Sequence, residues 1–196
     1  MNAAPDLGPA ARRLGDLVAG APDDRLAAPT PCAEYTVGDL IDHIGGLALG
    51  FTYAATKSAG EGTDGRPSGD ASRLGDAWRT EIPQRLGALA DAWRDPAAWT
   101  GMTQAGGVKL PGEVAGMFAL DELVVHGWDL ARAIGRPYEP AAAEVEACLA
   151  LLTGMAGQID GESPFGPPVR VPDAAPPLDR LVGLTGRDPA WTPSAA

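Results

Sequence analysis

His43 and His126 are the chain's two imidazoles, each set among acids in a helix-like stretch: Asp39-Leu40-Ile41-Asp42-His43-Ile44 and Asp121-Glu122-Leu123-Val124-Val125-His126-Gly127-Trp128-Asp129. Glu122 and His126 are four positions apart, one helical turn, so both side chains can reach one ion, and His43 can supply a third ligand from a distant part of the chain. Zinc and similar ions take neutral imidazole nitrogen and carboxylate oxygen. Three protein ligands leave a fourth position for water or substrate. Glu122, His126 and Asp129 fall within about 60° of one another at 3.6 residues per turn, so Asp129 can orient the ring of His126 or add a ligand. The same spacing also suits an ordinary helix ion pair between Glu122 and His126, with His43 a boundary residue. Spacing alone does not decide between the two.

Helices must position these groups. Leu7 to Val18 reads as a short first helix closed by Gly20 and Pro22. Thr36 is an N-cap with Asp39 three residues on, and Val37, Leu40, Ile41, Ile44, Leu47, Ala48 and Phe51 predict an amphipathic helix from about Val37 to Lys57. His43 lies at the flank of its apolar stripe. Residues 58–70, rich in Gly, Ser, Thr and Asp, read as a solvated, mobile loop. Leu74, Trp78, Ile82, Leu86, Leu89 and Trp93 predict a third helix that Pro83 should bend or break. The stretch through Trp99 and Gly106-Gly107-Val108 lacks helical periodicity and leaves room for a short extended turn. Pro111 opens a fourth helix that ends near Ile134-Gly135. Its apolar residues surround the axis, which predicts burial on most sides, so the acids inside it need partners. Pro140 opens a fifth helix carrying Val145, Cys148, Leu149, Leu152 and Met155. A Pro-rich tail from Gln158 holds one short candidate, Leu178 to Leu184, closed by Gly186. With no strand-rich region the class is all-α: a helical bundle with short additions, one domain over 1–196, its core about 5–157 and its tail 158–196.

A net charge of −11 argues against nucleic acid and anionic membrane surfaces, which call for clustered Lys and Arg. No charged-then-apolar leader is present, and no apolar run nears the roughly 20 residues that span a bilayer. The expectation is a soluble, cytoplasmic protein, monomeric or homodimeric. Cys32 and Cys148 are too few and too far apart for a disulfide framework or a C-x-x-C site, so both read as free thiols. Serine-hydrolase elbows and Walker loops are absent.

Three blocks carry a family resemblance: Thr30-Pro31-Cys32-Ala33-Glu34-Tyr35-Thr36-Val37-Gly38-Asp39-Leu40-Ile41-Asp42-His43, Asp121 to Leu130, and Leu181-Val182-Gly183-Leu184-Thr185-Gly186-Arg187-Asp188-Pro189-Ala190-Trp191. Together they resemble the metal-binding domain of the mycothiol-dependent maleylpyruvate isomerase group, within the DinB/YfiT-like superfamily. The resemblance implies a DinB-like four-helix bundle of up-down-down-up connectivity. It also implies a divalent ion, zinc first and nickel or iron next, held by His43, Glu122 and His126. Some relatives use the open position for a low-molecular-weight thiol such as mycothiol, and coordination to zinc deprotonates a thiol that is otherwise mostly neutral. The isomerases carry a further C-terminal domain at the active site, whereas here only 158–196 follows the fifth helix. The expectation is therefore a thiol-dependent transferase or isomerase acting on another small electrophile. Two other readings stand beside it: a hydrolase that ionises water at the metal, and a non-catalytic metal or ligand binder.

Other residues carry weaker expectations. Trp128 and Arg132 are candidates for cofactor contact, Trp128 as a wall of the site and Arg132 facing an anion; alternatively Trp128 fills core and Arg132 pairs with Asp129. Cys32 reads as a packing thiol in a Pro-bounded loop, Cys148 as core, and Trp78 and Trp93 as bundle packing.

Overall fold

The computed structural model describes residues 4–58, 68–155 and 166–193. Within them the chain is mostly helical, with six α-helices and one two-stranded hairpin. Much of the expected loop at 58–70, and the start of the tail at 158–165, lie outside the described residues. No described helix is long and apolar enough to cross a membrane.

Helix α1 (Gly8–Ala19) begins where the Asp6 carboxylate accepts the Gly8 N–H at 2.9 Å, and it buries Leu7, Ala10, Leu14 and Val18. Helix α2 (Val37–Thr56) starts on the expected Thr36 cap. The Thr36 hydroxyl accepts the Asp39 N–H at 3.2 Å and the Asp39 carboxylate accepts the Thr36 N–H at 3.0 Å, a reciprocal box that satisfies two orphan donors. Val37, Leu40, Ile41, Ile44, Leu47 and Ala48 are buried as their spacing predicts. The helix stops at Lys57, whose left-handed φ of 53° is held by its ammonium donating to the carbonyls of Ala97 and Thr100.

Helix α3 (Trp78–Ala92) begins later than the apolar spacing suggests, because Ala71–Arg73 forms a 3-10 turn capped by Asp70 and Leu74 is extended. Pro83 neither ends nor splits it. One intrahelical bond is lost, and the ring lies against Gly15 of α1, which has no side chain to hold the helices apart.

The described residues are mostly helical, in line with an all-α-like class, and the stretch expected to leave room for a short extended turn forms a small hairpin at 102–111. There β1 (Met102–Ala105) pairs antiparallel with β2 (Val108–Pro111), Met102 opposite Pro111 and Ala105 opposite Val108. Gly106 and Gly107, at φ 57° and 80°, make the tight turn that a hairpin's twist demands. The Thr103 hydroxyl pins the hairpin to α2 through the Ala54 carbonyl at 2.6 Å. Pro111 closes β2 and flanks α4 instead of opening it.

Helix α4 (Gly112–Ala133) is buried on most sides, as its all-round apolarity predicts. It contacts α1 and α2; α3 contacts the same two helices. Gly116 makes room for the edge-to-face pair of Trp93 and Trp99: a Cβ there would stand 2.6 Å from Trp99 and 2.7 Å from Trp93. Helix α5 (Ala142–Met155) buries Cys148 against α4, and α6 (Pro177–Leu184) covers α5 with Leu181 fully buried. The segment expected as a tail thus contributes to the core.

Candidate metal centre

The two histidine stretches meet. His43 from α2 and Glu122 and His126 from α4 each offer a ligand atom, and the three atoms lie within 4.8 Å of one another. The imidazole rings stand edge to face, centroids 4.9 Å apart, with Tyr35 on the other side of His43 at 5.1 Å. The acidic neighbours of His43 point to other work: Asp39 caps α2, and Asp42 accepts the Arg73 guanidinium and the Asp70 N–H.

Behind His126 runs a chain of ion pairs, buried at Asp129 and Arg187 and half-buried at Glu122. Its Nε2 lies 2.8 Å from the Glu122 carboxylate and its Nδ1 3.0 Å from that of Asp129, which is fully buried. Asp129 in turn accepts Arg187 Nη2 at 2.9 Å and Nε at 3.3 Å, while Arg187 Nη1 donates to the Thr185 carbonyl. The left-handed turn at Gly186, φ 83°, delivers this arginine from the end of α6. Asp129 thus lies against the His126 ring, and its cationic partner is Arg187. Arg132 instead donates to the carbonyls of Pro189 and Trp191 and lies over the Trp128 ring at 5.7 Å.

Electrostatics follow from this geometry. Burial alone would raise the Glu122 carboxyl, yet its hydrogen bond to His126 and the charges of His126, His43 and Arg187 hold it down to about 2. Burial would discharge His126, but hydrogen bonds to Asp129 and Glu122 hold its pKa up to about 9. Asp129 is kept below the usual carboxylate range, against its burial, chiefly by Arg187. Asp121, also fully buried and beside the Cys148 thiol, goes the other way: burial and the adjacent Glu122 charge push it up to about 8.

This donor set fits a divalent ion. With Nδ1 against Asp129, Nε2 of His126 faces Glu122, so once its proton has left it would be available to a divalent ion together with that carboxylate and His43. The ligand atoms need only converge to about 2.0–2.2 Å from a common centre.

The site opens into a cavity of about 780 Å³. Cys32 and Tyr35 line it from the loop before α2, Leu47 and Phe51 from α2, Val114 and Phe118 from α4, and Arg187 from beyond α6. Cys32 thus borders the cavity, where the sequence favoured packing over a role as nucleophile or fourth ligand, and burial pushes its thiol up to about 11. Neither Trp128 nor Arg132 is among the lining residues. Arg187 and Asp121 are the members that sequence reasoning left without a role. Both stand in the motif blocks, but no periodicity marks either as part of a site.

Two imidazoles and a carboxylate converging between helices, at the edge of a cavity, define a helical protein with a candidate divalent-metal centre. The chain belongs to the mycothiol maleylpyruvate isomerase N-terminal domain family, which matches residues 7–131. Two relatives from Mycobacterium tuberculosis, uncharacterized protein MT0763 of strain CDC 1551 / Oshkosh and uncharacterized protein Rv0738 of strain ATCC 25618 / H37Rv, are each 29% identical over 177 residues, 87% of this chain and 90% of theirs. No solved structure matches significantly.

Proposed function

We propose that this chain is a cytoplasmic, divalent-metal-binding, thiol-dependent transferase or isomerase acting on a small electrophile, with His43, Glu122 and His126 as the ligands. The observation that carries the reading is the approach of those three ligand atoms to within 4.8 Å of one another at the edge of a cavity, in a chain of a mycothiol-linked family. A zinc-like ion bound there supplies Lewis acidity and lowers the pKa of a thiol at its open position. The protein's own contribution is orientation: Asp129 fixes which nitrogen of His126 faces the ion, and Arg187 fixes Asp129. Residue contacts support an up-down-down-up bundle of α1 to α4. Gly8 of α1 lies near Arg94 and Gly15 near Pro83, so α1 opposes α3; Gly45 near Ile82 and Phe51 near Trp93 set α2 alongside α3; His43 near His126 and the Trp pair near Gly116 set α2 against α4.

Metal analysis of protein purified without a histidine tag tests the ligand set. Near-stoichiometric divalent ion is expected in the parent, with loss in His43→Ala and in His126→Ala. Equal content in all three would end the assignment. Cobalt-substituted protein should develop sulfur charge-transfer absorption on titration with a mycothiol-type thiol, and a spectrum indifferent to thiol would remove the thiol from the proposal.

A further inference from the structure

The two ends of the cavity differ in chemistry. Val114, Phe118, Glu122 and His126 recur every four residues and climb one face of α4, so Val114 stands about 12 Å along the axis from Glu122 at 1.5 Å per residue. On α2, Leu47 and Phe51 lie one and two turns past His43. With Leu110 of the hairpin, the side chains of Leu47, Phe51, Val114 and Phe118 make the end remote from the imidazoles an apolar alley. Charge is distributed just as unevenly. The acids Glu34, Asp121 and Glu122 line the cavity, and among the described lining residues Arg187 is the one cation other than histidine. Its guanidinium is already engaged, Nε and Nη2 by Asp129 and Nη1 by the Thr185 carbonyl. No described side chain along the alley offers a counter-charge to a carboxylate, and moving an unpaired anion into such surroundings is strongly unfavourable.

We infer that the small electrophile has an uncharged, apolar body. That body lies along the alley of Leu47, Phe51, Leu110, Val114 and Phe118, with the reacting end toward His43, Glu122 and His126. The inference rests on the proposed metal site for the choice of reacting end; the preference for an apolar body stands on the lining itself.

The test is a displacement titration of the zinc-loaded, tag-free protein. The uncharged fluorophore N-phenyl-1-naphthylamine is bound, then competed off with hexanol, octanol and decanol. Affinity for the alcohols should rise about three- to fourfold per added methylene until the alley is filled. Val114→Trp, which fills the alley, and Phe118→Gln, which makes it polar, should each weaken the fluorophore about tenfold or more while zinc content and helicity hold. A flat dependence on chain length, no fluorophore binding, or indifference to both variants would each overturn the inference. Metal analysis of the same samples separates the two readings. Protein that takes up no zinc yet keeps the alcohol series loses the metal assignment alone; zinc-loaded, thiol-binding protein without the series loses this inference alone.

Discussion

Metal uptake should be a proton exchange at His126. In the metal-free protein the ring is held protonated up to about pH 9 by Asp129 and Glu122. Glu122, held down to about 2, is already ionised at neutral pH and has no proton to give. An ion can take His126 Nε2 only after its proton leaves. At pH 7 the ring lies about two units below its pKa, so on the order of one ring in a hundred is neutral and the displacement costs roughly 3 kcal/mol. The sign is fixed: affinity should increase as pH rises toward 9, about tenfold per unit, or roughly a hundredfold between pH 6.5 and 8.5. At least one proton should be released per ion at pH 7. Calorimetric titration in buffers of different ionisation enthalpy counts the protons, and competition with a zinc chelator calibrated at each pH measures the affinity. Asp129→Asn, which removes the charge behind the ring, should reduce the proton release and also weaken the pH 9 affinity by about 10- to 100-fold. Affinity that moves less than threefold over the range, with no proton released, would refute the argument.

Three further outcomes follow from the same structure. Arg187→Met leaves the fully buried Asp129 without its cation and should destabilise the protein by about 3–5 kcal/mol, read by urea unfolding; a loss under 1 kcal/mol would mean that the pair is unimportant. Gly116→Ala drives a methyl into the rings of Trp93 and Trp99 and should cost about 1–3 kcal/mol, with the change visible in tryptophan fluorescence; unchanged stability and emission would contradict the tight approach described at that position. Thr36→Ala removes the α2 cap and should cost about 1 kcal/mol, lowering Tm by about 2–4 °C in calorimetry, whereas Thr36→Ser should restore it.

The helices that carry the proposed ligands are legible in the sequence because each has a local signal strong enough to survive tertiary context. In α2 the Thr36 and Asp39 box and the spacing of Leu40, Ile41, Ile44 and Leu47 agree, and in α4 the all-round apolarity correctly signals burial around Glu122, His126 and Asp129. The hairpin escapes such reasoning because its strands are four residues each, too short for alternation to show, and only Gly106-Gly107 hints at a turn. Arg187 escapes it for another reason. Its partner Asp129 is 58 residues away, while Arg132 stands close in sequence and is drawn off to the carbonyls of Pro189 and Trp191. Periodicity tells which face of a helix is buried, but it does not tell which distant loop returns to that face.

That separation of 58 residues between Asp129 and Arg187 also has a meaning in time. A ribosome adding about 5–20 residues per second leaves roughly 3 to 12 seconds between synthesis of the aspartate and synthesis of its guanidinium partner. All three proposed ligands exist before that interval begins, yet the carboxylate against His126 lacks its arginine until the interval ends. Completion of the proposed centre would thus fall late in translation, and a nascent chain stalled within that window would carry an inventory of donors without the brace that aims them.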